Sequence, residues 1–80
     1  MRPEIQQFAE EMEKVMAKHD QKKGDTWKEP DERNDTFLWG KLKEEYLECV
    51  SAENEEGPRE LVDLANICMM LWTRNWLGKV

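Results

Sequence analysis

The sequence predicts an all-α chain, a three-helix protomer whose bundle is completed by oligomerisation. Apolar residues recur at three- and four-residue spacing in three separate segments. No segment shows the period-two alternation of a half-buried strand. The chain is 80 residues long, 39% hydrophobic and 38% charged, which suits a globular helical unit too small to bury most of its own surface.

The first helix is expected over about residues 3–19. Pro3 fits a first helical turn, Glu4, Glu10 and Glu11 suit the N-terminal half, and Ile5, Phe8, Met12, Val15 and Met16 recur at helical spacing. Lys22-Lys23-Gly24-Asp25 reads as a stop and turn. Residues 21–35 form a polar loop with one large apolar residue, Trp27, flanked by Lys23 and Lys28. Asn34 or Asp35 is the expected N-cap of a second helix over about 36–53. After the break at Asn54-Glu55-Glu56-Gly57, Pro58 opens a third helix over about 59–76. The short connection makes helices two and three antiparallel neighbours. Residues 1–80 therefore read as one helical domain without repeats.

Composition narrows the function. Lys and Arg number 12 against 18 Asp and Glu, a net charge of −6, which argues against a partner that is a nucleic-acid polymer. No apolar run approaches the ~20 residues of a bilayer span, so no membrane partner is expected. The first ten residues carry no secretory apolar run, and Cys49 and Cys68 form neither a disulfide framework nor a CxxC pair. A cytoplasmic, reducing location is the simplest expectation.

The informative anomaly is acidic. On a helical wheel Leu38, Leu42 and Cys49 share one stripe of helix two, and Glu45 falls in the middle of it. Glu48 lies at the stripe's edge and Glu44 nearer solvent. In helix three the run LVDLANICMMLW contains only two polar residues, Asp63 and Asn66, so Asp63 is expected to be buried. A carboxylate in such a place needs a partner, because an unpaired buried charge is costly. Glu45 with Glu48 and Glu60 with Asp63 are i, i+3 pairs that an antiparallel hairpin can bring together. Four converging carboxylates repel one another, and a hard cation removes that repulsion. All-oxygen ligation favours Mg²⁺ or Mn²⁺ over Zn²⁺. The competing reading is a solvated acidic face. It carries most of the weight for Glu44, Glu53, Glu55 and Glu56 and is weaker for Glu45 and Asp63, whose surrounding residues are apolar.

Glu44-Glu45-Tyr46-Leu47-Glu48 followed by Glu60-Leu61-Val62-Asp63 resembles the EExxE…ExxD signature of the MazG-like, all-α nucleoside triphosphate pyrophosphohydrolases. ELVDLANICMMLW and the upstream KKGDTW extend the likeness over about residues 5–76. The resemblance implies a Mg²⁺-dependent enzyme that cuts between the α- and β-phosphates of a nucleotide and assembles as a homodimer or homotetramer. It implies Glu45, Glu48, Glu60 and Asp63 as metal ligands, Glu44 as an auxiliary acid, and Asn66 near the base or sugar. Two features depart from the pattern: the Glu48-to-Glu60 gap is short, and no full fourth helix follows the third.

Metal-activated water would be the nucleophile, with Glu44 or Glu48 accepting its proton. Lys22, Lys23 and Lys28 could clamp phosphates or simply be solvated. Trp27 could stack on a base or anchor its loop under the bundle. Trp39, Trp72 and Trp76 read as core or interface, and His19 is not needed. The alternatives are a catalytically inactive helical oligomerisation or interaction module with at most a structural metal, and a phosphohydrolase that acts on diphosphates.

Overall fold

Pro3 lacks an amide hydrogen and loses nothing in a helix's first turn, where such hydrogens have no intrahelical acceptor. It opens α1, Pro3–Lys23, and Gly24 closes it. The Gly24 backbone has φ 59°, the left-handed region open to glycine, and its N–H donates to the Asp20 carbonyl at 3.1 Å. The stop expected at Lys22-Lys23-Gly24 is there, but the helix runs up to it, a turn beyond His19.

In the computed structural model the described residues are 1–24, 26–29, 31–51 and 57–76, apart from the side chains of Lys23, Glu32 and Trp76. After α1 comes a single 3₁₀ turn, Thr26–Lys28, then α2, Glu32–Ser51, and α3, Gly57–Trp76. No strand occurs among the described residues, and no described helix is long and apolar enough to cross a membrane.

Helix α2 starts four residues before the expected position, because Asp31 is its cap. The Arg33 N–H donates to Asp31 Oδ1 at 2.9 Å, and the Asn34 N–H donates to the Asp31 carbonyl at 2.9 Å. The expected loop 21–35 shrinks accordingly. Asn34 and Asp35, the expected caps, have other work. Asn34 Nδ2 donates to the carbonyls of Thr26 and Glu29, each at 3.2 Å. Asp35 Oδ1 accepts from Arg74 Nε at 2.7 Å.

The antiparallel hairpin of α2 and α3 is the main packing unit, and α1 lies against another side of α3. The buried apolar centre is Trp27, Leu38, Met70 and Leu71, with Met16, Leu42, Ile67 and Met69 packed on it. On α1 the bundle-facing residues are Met12, Val15, Met16 and His19, the i, i+3, i+4, i+7 set of an amphipathic helix. Ile5 and Phe8, earlier members of that apolar series, stand largely in solvent. So do Trp39 and Trp72, at 55% and 56% exposure, and neither belongs to the protomer's core. Both cysteines are free thiols.

One side chain binds the ends of this fold together. Arg74, 8% exposed, donates to Asp35, to the carbonyl of Trp27 at 2.7 Å, to that of Asp31 at 3.1 Å, and to that of Glu29. Three outward carbonyls of the 26–31 loop thus converge on one guanidinium from α3. Trp27 is held against the bundle as a result.

Candidate carboxylate site

Helical pitch places Glu45 over the α3 side of α2, and Glu60 and Asp63 one turn apart on the facing side of α3. One carboxylate oxygen from each of the three lies within 4.8 Å of the other two. Six-coordinate oxygens about 2.1 Å from Mg²⁺ stand at most about 4.2 Å apart, and the looser shell of Ca²⁺ spans a little more. The trio is therefore near cation-binding size and needs only small side-chain adjustment. Glu45 Oε2 and Glu60 Oε2 are buried with no hydrogen-bond partner. Two carboxylate oxygens so placed are underpaired, and the donor set fits a hard divalent cation.

Electrostatics supports the same reading. Burial, then the charges of Glu48 and Asp63, push the Glu45 carboxyl up to about 7. Burial is also the first cause raising Glu60, followed by Glu48. Asp63 is raised by burial against the pull of Arg59, with Glu48 adding and Lys41 opposing. Burial and the surrounding carboxylates push even the Cys49 thiol up. The nearest counter-charge on α2 is Lys41, whose Nζ is 3.7 Å from Glu45 Oε1 and 3.6 Å from Glu44 Oε2. It does not offset the burial of Glu45.

The other expected residues sort by position. Glu48 is exposed and its oxygens are not in the converging trio, yet it lies within proton-sharing reach of Glu45 and Glu60. Glu44 is exposed, on the outer side of Lys41. Asn66, 3% exposed, donates from Nδ2 to the Met12 carbonyl at 3.3 Å and leaves Oδ1 without a partner. Together with Glu45 and Asp63 it lines a hollow of about 270 Å³ between α1 and the hairpin.

A second hollow of about 300 Å³ adjoins the first through His19, Ile67 and Met70. Trp27, Phe37 and Lys41 also line it. Trp27 Nε1 and His19 Nδ1 are buried there without partners. Trp27 is thus both the anchor of its loop and one wall of a cavity. Lys28 lies outside the hollow, with Nζ 5.4 Å from the Trp27 ring centroid. Lys23 lies at the end of α1, with its side chain outside the described residues. His19, Phe37 and Lys41 were not expected from the sequence. Only the crossing of α1 over the hairpin brings His19 to the carboxylates, and a solitary histidine gives no spacing signal for that.

Comparison of the chain with protein-family models, curated proteins and solved structures finds no significant match.

Proposed function

We propose that this chain is a Mg²⁺-dependent nucleotide pyrophosphohydrolase of the MazG-like kind, converting a nucleoside triphosphate to monophosphate and pyrophosphate as a homodimer or homotetramer. The observation that carries the reading is the convergence of Glu45, Glu60 and Asp63 from two helices, with two buried carboxylate oxygens lacking partners. A nearby aromatic-walled hollow with two buried ring nitrogens free to bond a ligand adds to it.

In this reading Glu45, Glu60 and Asp63 hold the metal, and Glu48 joins them from the solvent edge. A divalent ion held by these residues would neutralise phosphate charge and lower the pKa of a water. Glu48 or Glu44 takes up the proton released, since both reach solvent at the rim. Lys41, beside the carboxylates, supplies a cation for the phosphate chain. Trp27 and Phe37 receive the base in the adjoining hollow, where His19 Nδ1, Trp27 Nε1 and Asn34 orient its edge. Asn66 Oδ1, in the first hollow beside Glu45 and Asp63, serves the sugar side.

The test is a nucleotide panel incubated with Mg²⁺ or Mn²⁺ and assayed for pyrophosphate. Release that disappears in Glu45→Gln, with the assembly intact, supports the reading. Orthophosphate release would point to a different phosphohydrolase. No turnover across the panel would leave the interaction-module reading, which the exposed tryptophans favour.

A further inference from the structure

A basic residue stands one turn before a carboxylate of the trio on each helix of the hairpin: Lys41 before Glu45 on α2, and Arg59 before Asp63 on α3. A step of four residues turns through about 400°, so each cation shares the face of its acid. The helices run antiparallel, which puts the two cations on opposite sides of the carboxylates along the bundle axis. Counting from the α2–α3 connection, Arg59 comes first, then Glu48 and Glu60, then Glu45 and Asp63, and Lys41 last. Arg59 and Lys41 are about 12 Å apart along the axis at the ordinary helical rise. The Trp27 hollow opens at the Lys41 end, since Phe37 and Lys41 line it. A nucleotide with its base in that hollow must run its phosphates over the carboxylates and towards Arg59. We propose that Arg59 binds the β- and γ-phosphates of the substrate, so that the site takes a nucleoside triphosphate and releases its far end as pyrophosphate. This role rests on the hydrolytic reading of the trio and adds to it the direction and reach of the substrate.

The two cations differ in what they are free to do. Lys41 is already paired, with Nζ 3.7 Å from Glu45 Oε1. Arg59 is exposed and forms no ion pair among the described residues. Its charge still reaches the site, because it pulls the Asp63 carboxyl down against the effect of burial. A cation in the first turn of a helix opposes the helix dipole, so α3 gains no stability from Arg59. A phosphate gains twice there: the planar guanidinium fork matches two of its oxygens, and the positive end of the dipole lies beside it. Glu45, Glu48, Glu60 and Asp63 crowd this stretch of the hairpin, and a polyphosphate passing them needs a cation at its far end. In the cleavage, the oxygen of a water bonds to the α-phosphorus and the bond from that phosphorus to the α–β bridging oxygen breaks. The bridging oxygen leaves with its electron pair on pyrophosphate, and the proton of the water goes to Glu48 or Glu44. Arg59 offsets the charge that gathers on the leaving group. A monophosphate ends at the trio, short of Arg59, and a diphosphate offers Arg59 one phosphate instead of two.

The test uses the full chain with Mg²⁺ and two probes, inorganic pyrophosphate and orthophosphate, titrated by calorimetry into wild type, Arg59→Gln and Arg59→Lys. Lys43→Gln is the control, since it removes the same charge from an exposed position on the far side of α2. Arg59→Gln should weaken pyrophosphate binding at least ~10-fold, with orthophosphate binding and helical circular dichroism unchanged. Arg59→Lys should recover part of the loss, and Lys43→Gln should show none. In turnover, Arg59→Gln should lower kcat/KM for a triphosphate at least ~10-fold and erase its advantage over the diphosphate. Pyrophosphate affinity that is unchanged in Arg59→Gln, or weakened as much by Lys43→Gln, overturns the assignment. So does a wild type that binds no pyrophosphate. The hydrolytic reading fails separately: a nucleotide panel without turnover sinks it, and pyrophosphate binding that depends on Arg59 would still leave the phosphate subsite standing.

Discussion

Glu45 is the residue on which stability and the proposed function pull in opposite directions. Its side chain is 12% exposed, and its carboxyl is raised from 4.5 to about 7 by burial first and by Glu48 next. The folded chain therefore binds more protons than the unfolded chain between about pH 4.5 and 7. This contribution to stability is full below that window and is lost as pH rises through it. Asp31 has the opposite sign: Arg33 lowers its carboxyl, and its contribution is lost only as pH falls through the low folded value. Without divalent cations the melting midpoint is therefore expected to be higher near pH 5 than near pH 8. Millimolar Mg²⁺ should narrow that gap by raising the midpoint near pH 8. Thermal melts at both pH values, with chelator and with Mg²⁺, check this; a gap unchanged by Mg²⁺ counts against a metal at the trio. Glu45→Gln keeps the shape and removes the charge. It should raise the metal-free midpoint near pH 8 and abolish the Mg²⁺ response. It should also cut any Mg²⁺-dependent turnover by on the order of a thousandfold, since such an ion supplies several kcal/mol of transition-state stabilisation.

At the scale of the elements, the 26–31 loop stays in place because α3 reaches it through Arg74. Arg74→Met would leave Asp35 and three carbonyls without their shared donor. The expected cost is on the order of 3 kcal/mol, read as a lower urea midpoint. Arg74→Lys should restore only part of it, because an ammonium cannot serve four acceptors in a planar fork. Faster amide exchange confined to residues 26–31 would locate the loss; uniform destabilisation would not fit the clamp. Asp31→Ala, which removes the cap and the Arg33 pair, should lower the urea midpoint by less than Arg74→Met does. These contacts also explain what the sequence could and could not reveal. The three helices were legible because Met12, Val15 and Met16, and the run from Leu61 to Trp72, repeat at helical spacing. Glu45 stood out because an acid in an apolar stripe breaks the pattern. Glu48, at the stripe's edge, could not be assigned to ligand or rim from angle alone. Asn34 and Asp35 looked like the better caps, as the polar residues closest to the apolar onset. Their real role depends on Arg74, 39 positions beyond Asp35, and no local pattern reports a contact at that distance.

For the molecule as a whole, burial in one copy is incomplete. The radius of gyration is 13.3 Å, against about 11.6 Å for a compact chain of this length. Four apolar residues make up the buried centre among the described residues, while both tryptophans of the hairpin's outer face remain in solvent. Small chains compensate for so thin a core by metal binding or assembly, and the proposed cation site on the α2–α3 hairpin is one such means. A partner that fixes the spacing of the hairpin also fixes the separation of Glu45 from Glu60 and Asp63. If folding and association are linked in this way, unfolding of an assembled dimer releases two chains, and the midpoint must rise with protein concentration. With the usual enthalpy per residue, two 80-residue chains give a rise of about 4 °C for each tenfold increase. Calorimetry over a hundredfold range resolves that slope. Trp72→Glu should flatten it and weaken the Mg²⁺-induced rise as well, although Trp72 lies on the face turned away from the carboxylates. A slope of zero in the wild type would mean that the hairpin stands without a second copy, and that the carboxylate trio is held by the protomer alone.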